Sequence, residues 1–274
     1  MPDFVKYQAL GNDYLLIDPV ETDLPVTPAA VRLLCDRRLG VGSDGVLRLP
    51  HGPVHADRPV VLHTVNADGS LCARSANGVR MVGLHLARRS AGAGRFVVST
   101  PAGESTVEVR DEAAGLVEVE LGHARVGDPG ELTAAGERFD VSVVDNGNPH
   151  AVLFLDEVDA ELARAFGESV AGHERFPGRI NVQFTTVAAP DVLRIEVYER
   201  GAGYTPASGA SACAAASAAH ARGLTGHRVR VEMAGGAVEV VIGEDGAVRL
   251  CGEVEQVCAG DVSPALRRRL EEVG

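Results

Sequence analysis

Apolar positions along this chain alternate between two spacings, and the same succession of spacings occurs twice. FVKYQALGNDYLLID, residues 4–18, reads as a strand, a GND turn and a second strand. Residues 29–38 carry the spacing of an amphipathic helix, and VVLHTVN at 60–66 reads as a strand. After NADGS comes a helix from Gly78 to Ala87, followed by strands FVVST and STVEVR joined through Pro101 and Gly103. Further on, strand VSVVDNG leads into GNPHAVLFL, and a helix follows from Glu157 to Phe166. Strands INVQFTTVA and VLRIEVYERG precede an Ala-rich helix at 210–221 and strands VRVEM and AVEVVI.

The succession is a repeat. Laying Ser75 on Ser208, 133 residues later, also lays Arg89 on Arg222, Arg95 on Arg228, Val98 on Val231 and Gly103 on Gly236 without a gap. Gly11, Asn12 and Asp13 answer Gly147, Asn148 and Pro149 at an offset of 136. Two related halves normally face each other across a cleft, so Ser75 and Ser208 are expected to reach one space from opposite sides. The expected domains are 1–117, to which the tail 262–274 returns, and 118–261. The Gly-, Glu- and Pro-rich segments 110–117 and 122–138 are the expected crossover region, and no low-complexity linker separates the halves.

Composition then removes function classes. The 274 residues suffice for two domains of roughly 130 residues, each with its own core. A net charge of −12 argues against nucleic acid as a partner, because phosphate binding relies on clustered Lys and Arg. No stretch approaches the roughly 18 apolar residues of a membrane span, and the start lacks a signal-peptide pattern, so no membrane association and a cytoplasmic location are expected. The five cysteines, Cys35, Cys72, Cys213, Cys251 and Cys258, form no CxxC pair, which argues against a disulfide framework and a metal site. Lys6 is the sole lysine and lies in the first strand, a poor Schiff-base or P-loop residue, and no GxGxxG opens a helix after a strand. No cofactor is expected.

The candidate chemistry gathers at the two serines. Each ends a Gly/Ala-rich approach to a helix, so Ala76 with Asn77, and Gly209 with Ala210, would offer the free N–H groups of a helix start as a seat for a carboxylate. An ordinary N-cap is the structural alternative. His150 follows a proline that stiffens its turn, and Glu199 and Arg200 end an apolar strand beside a glycine-rich loop, where a surface ion pair is the plain alternative. Asn12, Asn66, Asn148 and Asn181 stand at turns or strand starts, either serving the turn or lining a polar pocket.

These segments, ALGNDYLLID, DRRLGVGSDG, NADGS with SANGVR, GNPHAV, HERFPGRINVQF, VYERGAG and SGASACAAA, occur in order over nearly the whole length, and in them the chain resembles the diaminopimelate epimerase family. The resemblance implies an α/β (α+β) protein of two pseudo-symmetric domains. Each would be a curled, mostly antiparallel sheet around a central helix, with the active site between them. It implies a cofactor-free, metal-free amino-acid racemase or epimerase in which one group removes the Cα proton and another returns it on the opposite face. The family's asparagines map onto Asn12, Asn66, Asn148 and Asn181, its Glu-Arg pair onto Glu199 and Arg200, and its histidine onto His150. A small amino-acid substrate and a homodimer are part of the same implication.

The departures are specific. The family's two thiols fall on Ser75 and Ser208, and neither Cys72 nor Cys213 is in register to replace them. A hydroxyl is less acidic than a thiol by about five pKa units, so its basic form is about 7 kcal/mol harder to reach. Serine therefore needs an adjacent base, for which His150 and Glu199 are the candidates. Tyr204, a candidate substrate contact, stands where the family has glutamate, Gly45 where it has glutamine, and Ala76 and Ser211 where it has glycines. Three readings stay open: a racemase or epimerase with Ser75, Ser208, His150 and Glu199 as its catalytic set, an isomerase or lyase needing one proton transfer, and a non-catalytic amino-acid-binding protein.

Overall fold

The computed structural model describes residues 2–50, 58–90 and 94–274. By internal contacts the chain divides into two units, one made of the segment up to Val119 together with Glu253–Gly274, the other of Glu120–Gly252.

The first unit begins with strands β1 (Phe4–Ala9) and β2 (Asn12–Ile17), helix α1 (Pro28–Cys35) and strand β3 (Gly45–Arg48). Short strands β4 (Val60–Val61), β5 (His63–Asn66) and β6 (Leu71–Cys72) lead to helix α2 (Ala76–Arg89), then β7 (Arg95–Thr100), β8 (Gly103–Asp111) and β9 (Leu116–His123), along which the chain leaves the unit. The second unit comprises β10 (Arg125–Val126), β11 (Gly130–Ala134), β12 (Glu137–Asp145), β13 (Pro149–Phe154), helix α3 (Ala160–Ala171), β14 (Asn181–Ala189), β15 (Val192–Glu199), β16 (Gly203–Thr205), helix α4 (Gly209–Ala221), β17 (Arg228–Met233), β18 (Gly236–Ile242) and β19 (Ala247–Glu253). Strand β20 (Glu255–Gly260) and helix α5 (Pro264–Val273) then return to the first unit.

Pairing is mostly antiparallel in both. In the first unit six strands run in the order β20-β1-β2-β3-β5-β6, with β2 and β3 parallel. In the second the order is β10-β12-β13-β14-β15-β17-β18-β19, with β11 on β12, β16 on β15, and parallel pairs β13/β14 and β15/β17. Each sheet has a helix on both faces. One face of the first packs on α1 and α5 through Leu15, Ile17, Val46, Leu34 and Leu270, while α2 meets β1, β2, β7 and β8. In the second, α3 covers Ala151, Leu153, Val182 and Phe184, and α4 touches strands from β10 to β18.

The inner helices differ from the outer ones in composition for a physical reason. Asn77 to Ala87 of α2 are all buried, and so are nearly all residues of α4. A helix packed on all sides has no polar stripe and needs small residues for close approach. In α2 an added Cβ at Gly83 would stand 2.3 Å from Val107 Cγ1 of β8, and α4 is built of Ala, Ser and Gly apart from Cys213 and His220. The repeat extends to backbone conformation. Gly103 and Gly236 each open the second strand of a hairpin with φ of +108° and +135°, a region that only glycine enters freely.

Several sequence expectations differ from the structure. The first helix stops at Cys35 instead of residue 38, because the Asp36 carboxylate accepts the N–H groups of Arg38 and Leu39 and turns the chain. The strand expected at 60–66 is two strands: β4 pairs with β7 and β5 with β3, Leu62 being the point of change. The helix expected over 157–166 runs from 160 to 171, capped by Asp159 and continuing through Gly167, where any Cβ would strike the Tyr198 ring. Residues 130–138, expected in the crossover, instead form the β11/β12 hairpin around Ala135 and Gly136, both at positive φ. Residues 255–260, assigned above to the second domain, pair with β1.

Replacing Gly83 by valine should lower the urea midpoint by an amount equivalent to about 1–3 kcal/mol, through overpacking against Val107. An unchanged midpoint would show that α2 can move away from β8 freely.

Candidate active site

Ser75 and Ser208 are the N-caps of the two inner helices. Both are extended, with φ/ψ of −114°/116° and −152°/120°, and each Oγ accepts a backbone N–H of the first turn, from Gly78 at 3.1 Å and from Ser211 at 3.5 Å. The cap reading of the sequence is therefore correct for both. Ala76 with Asn77, and Gly209 with Ala210, form the first turns, whose N–H groups lie at the positive end of each helix dipole.

In the first unit the period of two along the strands decides what meets α2. Leu15, Ile17, Val46 and Val65 belong to the α1 face, so Asn12, Tyr14, Gly45 and Asn66 stand on the other. Asn12 Nδ2 donates to Asp44 at 2.9 Å, and its Oδ1 accepts from Asn77 Nδ2 at 3.3 Å. Asn77 Oδ1 accepts from the fully buried Arg80 at 2.8 Å. Asp44 and Asp13 share Arg37, and Lys6 pairs with Asp13 at 2.8 Å, which gives the sole lysine a structural partner. Burial alone would raise Asp13, but hydrogen bonds from Arg37 and Lys6 prevail and hold its carboxyl at about 2. Asn66 Nδ2 donates to Ser70 Oγ at 2.9 Å. Tyr14 is buried on the same face, and that burial pushes its phenol up to about 12, the neighbouring Ser75 and Asn12 side chains offsetting part of the rise.

In the second unit Ala151, Leu153, Val182 and Phe184 face α3, which turns His150, Asn181, Gln183 and Glu199 toward α4. Burial raises the Glu199 carboxyl above the ordinary range, and the nearby Ser208 hydroxyl offsets part of that rise. His150 is 1% exposed, its Nδ1 lies 3.0 Å from Gln183 Nε2, and the same amide lies 3.0 Å from Ser211 Oγ. Burial drives the His150 imidazole down to about 4, so it is neutral at pH 7. Asn181 Oδ1 accepts the Arg200 N–H at 3.1 Å, and Asn148 Oδ1 accepts from the Arg200 guanidinium at 3.3 Å. Ala210 O accepts from Asn146 Nδ2.

The structure thus brings Ser75, Asn12, Ala76 and Asn77 together in one unit, with Asn66 on the same sheet face, and Ser208, Glu199, His150, Gly209 and Ala210 in the other. Asn148, Asn181 and Arg200 are joined to one another at the strand ends beside the latter group. It does not bring Tyr204 to this set. Tyr204 pairs with Tyr198 across β15/β16 and lies on the α3 face, its hydroxyl donating to Glu196 at 2.8 Å and its ring under Arg164 at 4.1 Å. Of the two bases named for the serines, Glu199 lies on the strand face turned toward Ser208, whereas His150 is engaged with Gln183. Tyr14 and Gln183 were missed by the sequence reading. Each is two residues from a recognised asparagine, hence on the same face, and that spacing was the available signal.

Among the described residues no group of three or more His, Cys, Asp or Glu is placed to hold a metal ion, and no helix is long and apolar enough to cross a membrane. The structure resembles that of a probable proline racemase from Agrobacterium radiobacter K84, with a TM-score of 0.69 and 16% identity over 97% of this chain and 96% of that one. At that identity the likeness is one of fold alone. Sequence likeness goes further. The chain is 36% identical over 274 residues, 95% of each chain, to diaminopimelate epimerase 2 of Nostoc sp. strain PCC 7120. It is 35% identical to the diaminopimelate epimerase of Rhodospirillum centenum, over 96% of this chain and 93% of that one. The family model described as diaminopimelate epimerase matches residues 4–127 and 142–257. The chain belongs to the diaminopimelate epimerase family and is an isomerase of the cofactor-independent epimerase class.

The depressed His150 has a consequence for stability. Its folded pKa of about 4 lies below the ordinary 6.5, so the unfolded chain binds the extra proton between those values. The stability that neutral His150 contributes is present above pH 6.5 and is lost as pH falls to about 4, a loss on the order of 3 kcal/mol. Urea midpoints of His150→Asn across pH 4–7 should therefore show a shallower slope than wild type, by roughly one proton. Parallel slopes would mean that the imidazole is not held neutral.

Proposed function

We propose that this protein is an amino-acid racemase or epimerase in which Ser208 and Ser75 address opposite faces of one Cα, the positions at which the family uses thiols. The observation that carries this reading is the equivalent placing of Ser75 and Ser208 as caps of the two inner helices, with Glu199 on the strand face turned toward Ser208. A serine alone is too weak an acid to supply a base, but a neighbouring carboxylate can take its proton as the reaction proceeds. Glu199 accepts the Ser208 proton while Ser208 Oγ takes the Cα proton, and Ser75 delivers its own proton to the opposite face. The first turns at Ala76–Asn77 and at Gly209–Ala210 each offer free N–H groups and a helix dipole that favour a substrate carboxylate and stabilise the charge passed from Cα. Asn12, Asn66, Asn148, Asn181 and Arg200 surround the rest of the amino acid. His150, neutral and tied to Gln183, orients the α4 entrance and does not serve as the base. Diaminopimelate, named in the relatives, is the first substrate to try.

In heavy water the enzyme should incorporate deuterium at Cα of at least one member of a panel of L- and D-amino acids that includes diaminopimelate, read by mass spectrometry. Ser75→Ala, Ser208→Ala and Glu199→Gln should each lower conversion by about 100-fold or more. Conversion should rise with pH through the elevated ionisation of Glu199, since only the carboxylate accepts a proton. Absence of exchange across the panel would remove the reading, and a product with a shifted double bond would replace it with a one-proton isomerisation.

A further inference from the structure

Ser211 stands where the family has glycine, and the structure gives its hydroxyl a partner. Gln183 Nε2 lies 3.0 Å from Ser211 Oγ and 3.0 Å from His150 Nδ1, and all three residues are buried. Strand pairing sets this up: His150 of β13 pairs with Asn181 of β14, and Gln183 is the next residue of β14 on the same face. An amide nitrogen carries two protons and accepts none. Its two neighbours are therefore both acceptors, and each amide proton is used. The reverse orientation would strand both protons in the interior, whereas the arrangement found leaves one carbonyl oxygen, Gln183 Oε1, without a partner. As an acceptor His150 Nδ1 has no proton, so the neutral ring carries its one proton at Nε2. That atom is buried and has no hydrogen-bond partner among the described residues. Ser211 also links this pair to the helix start, because its N–H is the one that Ser208 Oγ accepts at 3.5 Å.

We infer that Gln183 and Ser211 are positioning residues that hold His150 as the Nε2–H tautomer, so that the imidazole meets the substrate as a hydrogen-bond donor and not as a base. This deepens the proposed reaction and rests on it. As the Cα proton leaves, the electron pair of the broken bond spreads onto the substrate carboxyl oxygens. A fixed N–H stabilises that charge without giving up its proton. No bond to His150 forms or breaks, and no further reactant is needed. The ring is anchored through Ser211 to the first turn of α4, whose own N–H groups favour the same carboxylate in the proposed reaction. An imidazolium would not fit this seat, since a proton on Nδ1 would face the amide protons of Gln183. The burial that holds the ring at about 4 acts in the same direction.

The tautomer can be read directly by NMR on protein labelled with 15N in its histidine rings, where couplings to the carbon-bound ring protons tell which nitrogen bears the proton. The His150 signals are assigned by their loss in His150→Asn. Wild type at pH 7 should show a protonated Nε2 and a bare Nδ1. Ser211→Ala removes one anchor and lets the amide turn. Its spectrum should show both tautomers, and conversion should fall in proportion to the Nδ1–H fraction, about two- to tenfold. Gln183→Glu presents a carboxylate that only accepts at pH 7, so it should move the proton to Nδ1 and lower conversion by about 100-fold. If Gln183→Glu does not fold, as judged by circular dichroism, the wild-type and Ser211→Ala spectra decide alone. Lost conversion with the proton still on Nε2 would show that the two residues serve packing only, and overturns the inference. A wild-type ring protonated at Nδ1 overturns it even where turnover is intact. If wild type exchanges no amino acid, the proposed reaction fails and the donor role with it, which the spectra distinguish from a wrong tautomer.

Discussion

A helix enclosed by sheet on all sides can act on a ligand only at its ends, and in this protein the N-cap of each enclosed helix is a serine. The same Oγ that caps the helix is, in the proposed reaction, the reactive atom. Accepting the Gly78 or Ser211 N–H at the positive end of a helix dipole favours the anionic form of that oxygen. The magnitude decides how far this goes. A helix terminus contributes about 0.3–1 kcal/mol, up to roughly 2 in buried geometries. The deficit of a hydroxyl against a thiol is about 7 kcal/mol. Capping alone leaves most of that gap, and the remaining groups around each serine are intelligible as a response to it.

Those groups reach the serines because strand residues alternate faces. Once Leu15 and Ile17 are committed to the α1 core, Asn12 and Tyr14 must point at α2. Once Val182 and Phe184 are committed to α3, Asn181 and Gln183 must point at α4. Each polar set is then held by a chain of hydrogen bonds. From Lys6 through Asp13, Arg37 and Asp44 to Asn12, and from Arg80 through Asn77, the first unit fixes one asparagine from two directions. In the second, Gln183 ties His150 to Ser211, next to the cap bond. Such networks tolerate few alternative arrangements in a low-dielectric interior, so they specify side-chain positions more than they add stability.

This is also where legibility in the sequence ends. The repeat around Ser75 and Ser208, the two caps and the asparagines were readable because they depend on local spacing and helix chemistry. Tyr204 was misplaced through neglect of that spacing: Tyr198 and Glu199 are adjacent and so face opposite ways, and Tyr204 follows its partner Tyr198 to the α3 side. The extension of α3 through Gly167 was not readable, since the glycine is there for the Tyr198 ring and not to end the helix. Gly45 was visible as a departure from the family pattern, but its meaning lies in a cross-strand pairing that only the register discloses.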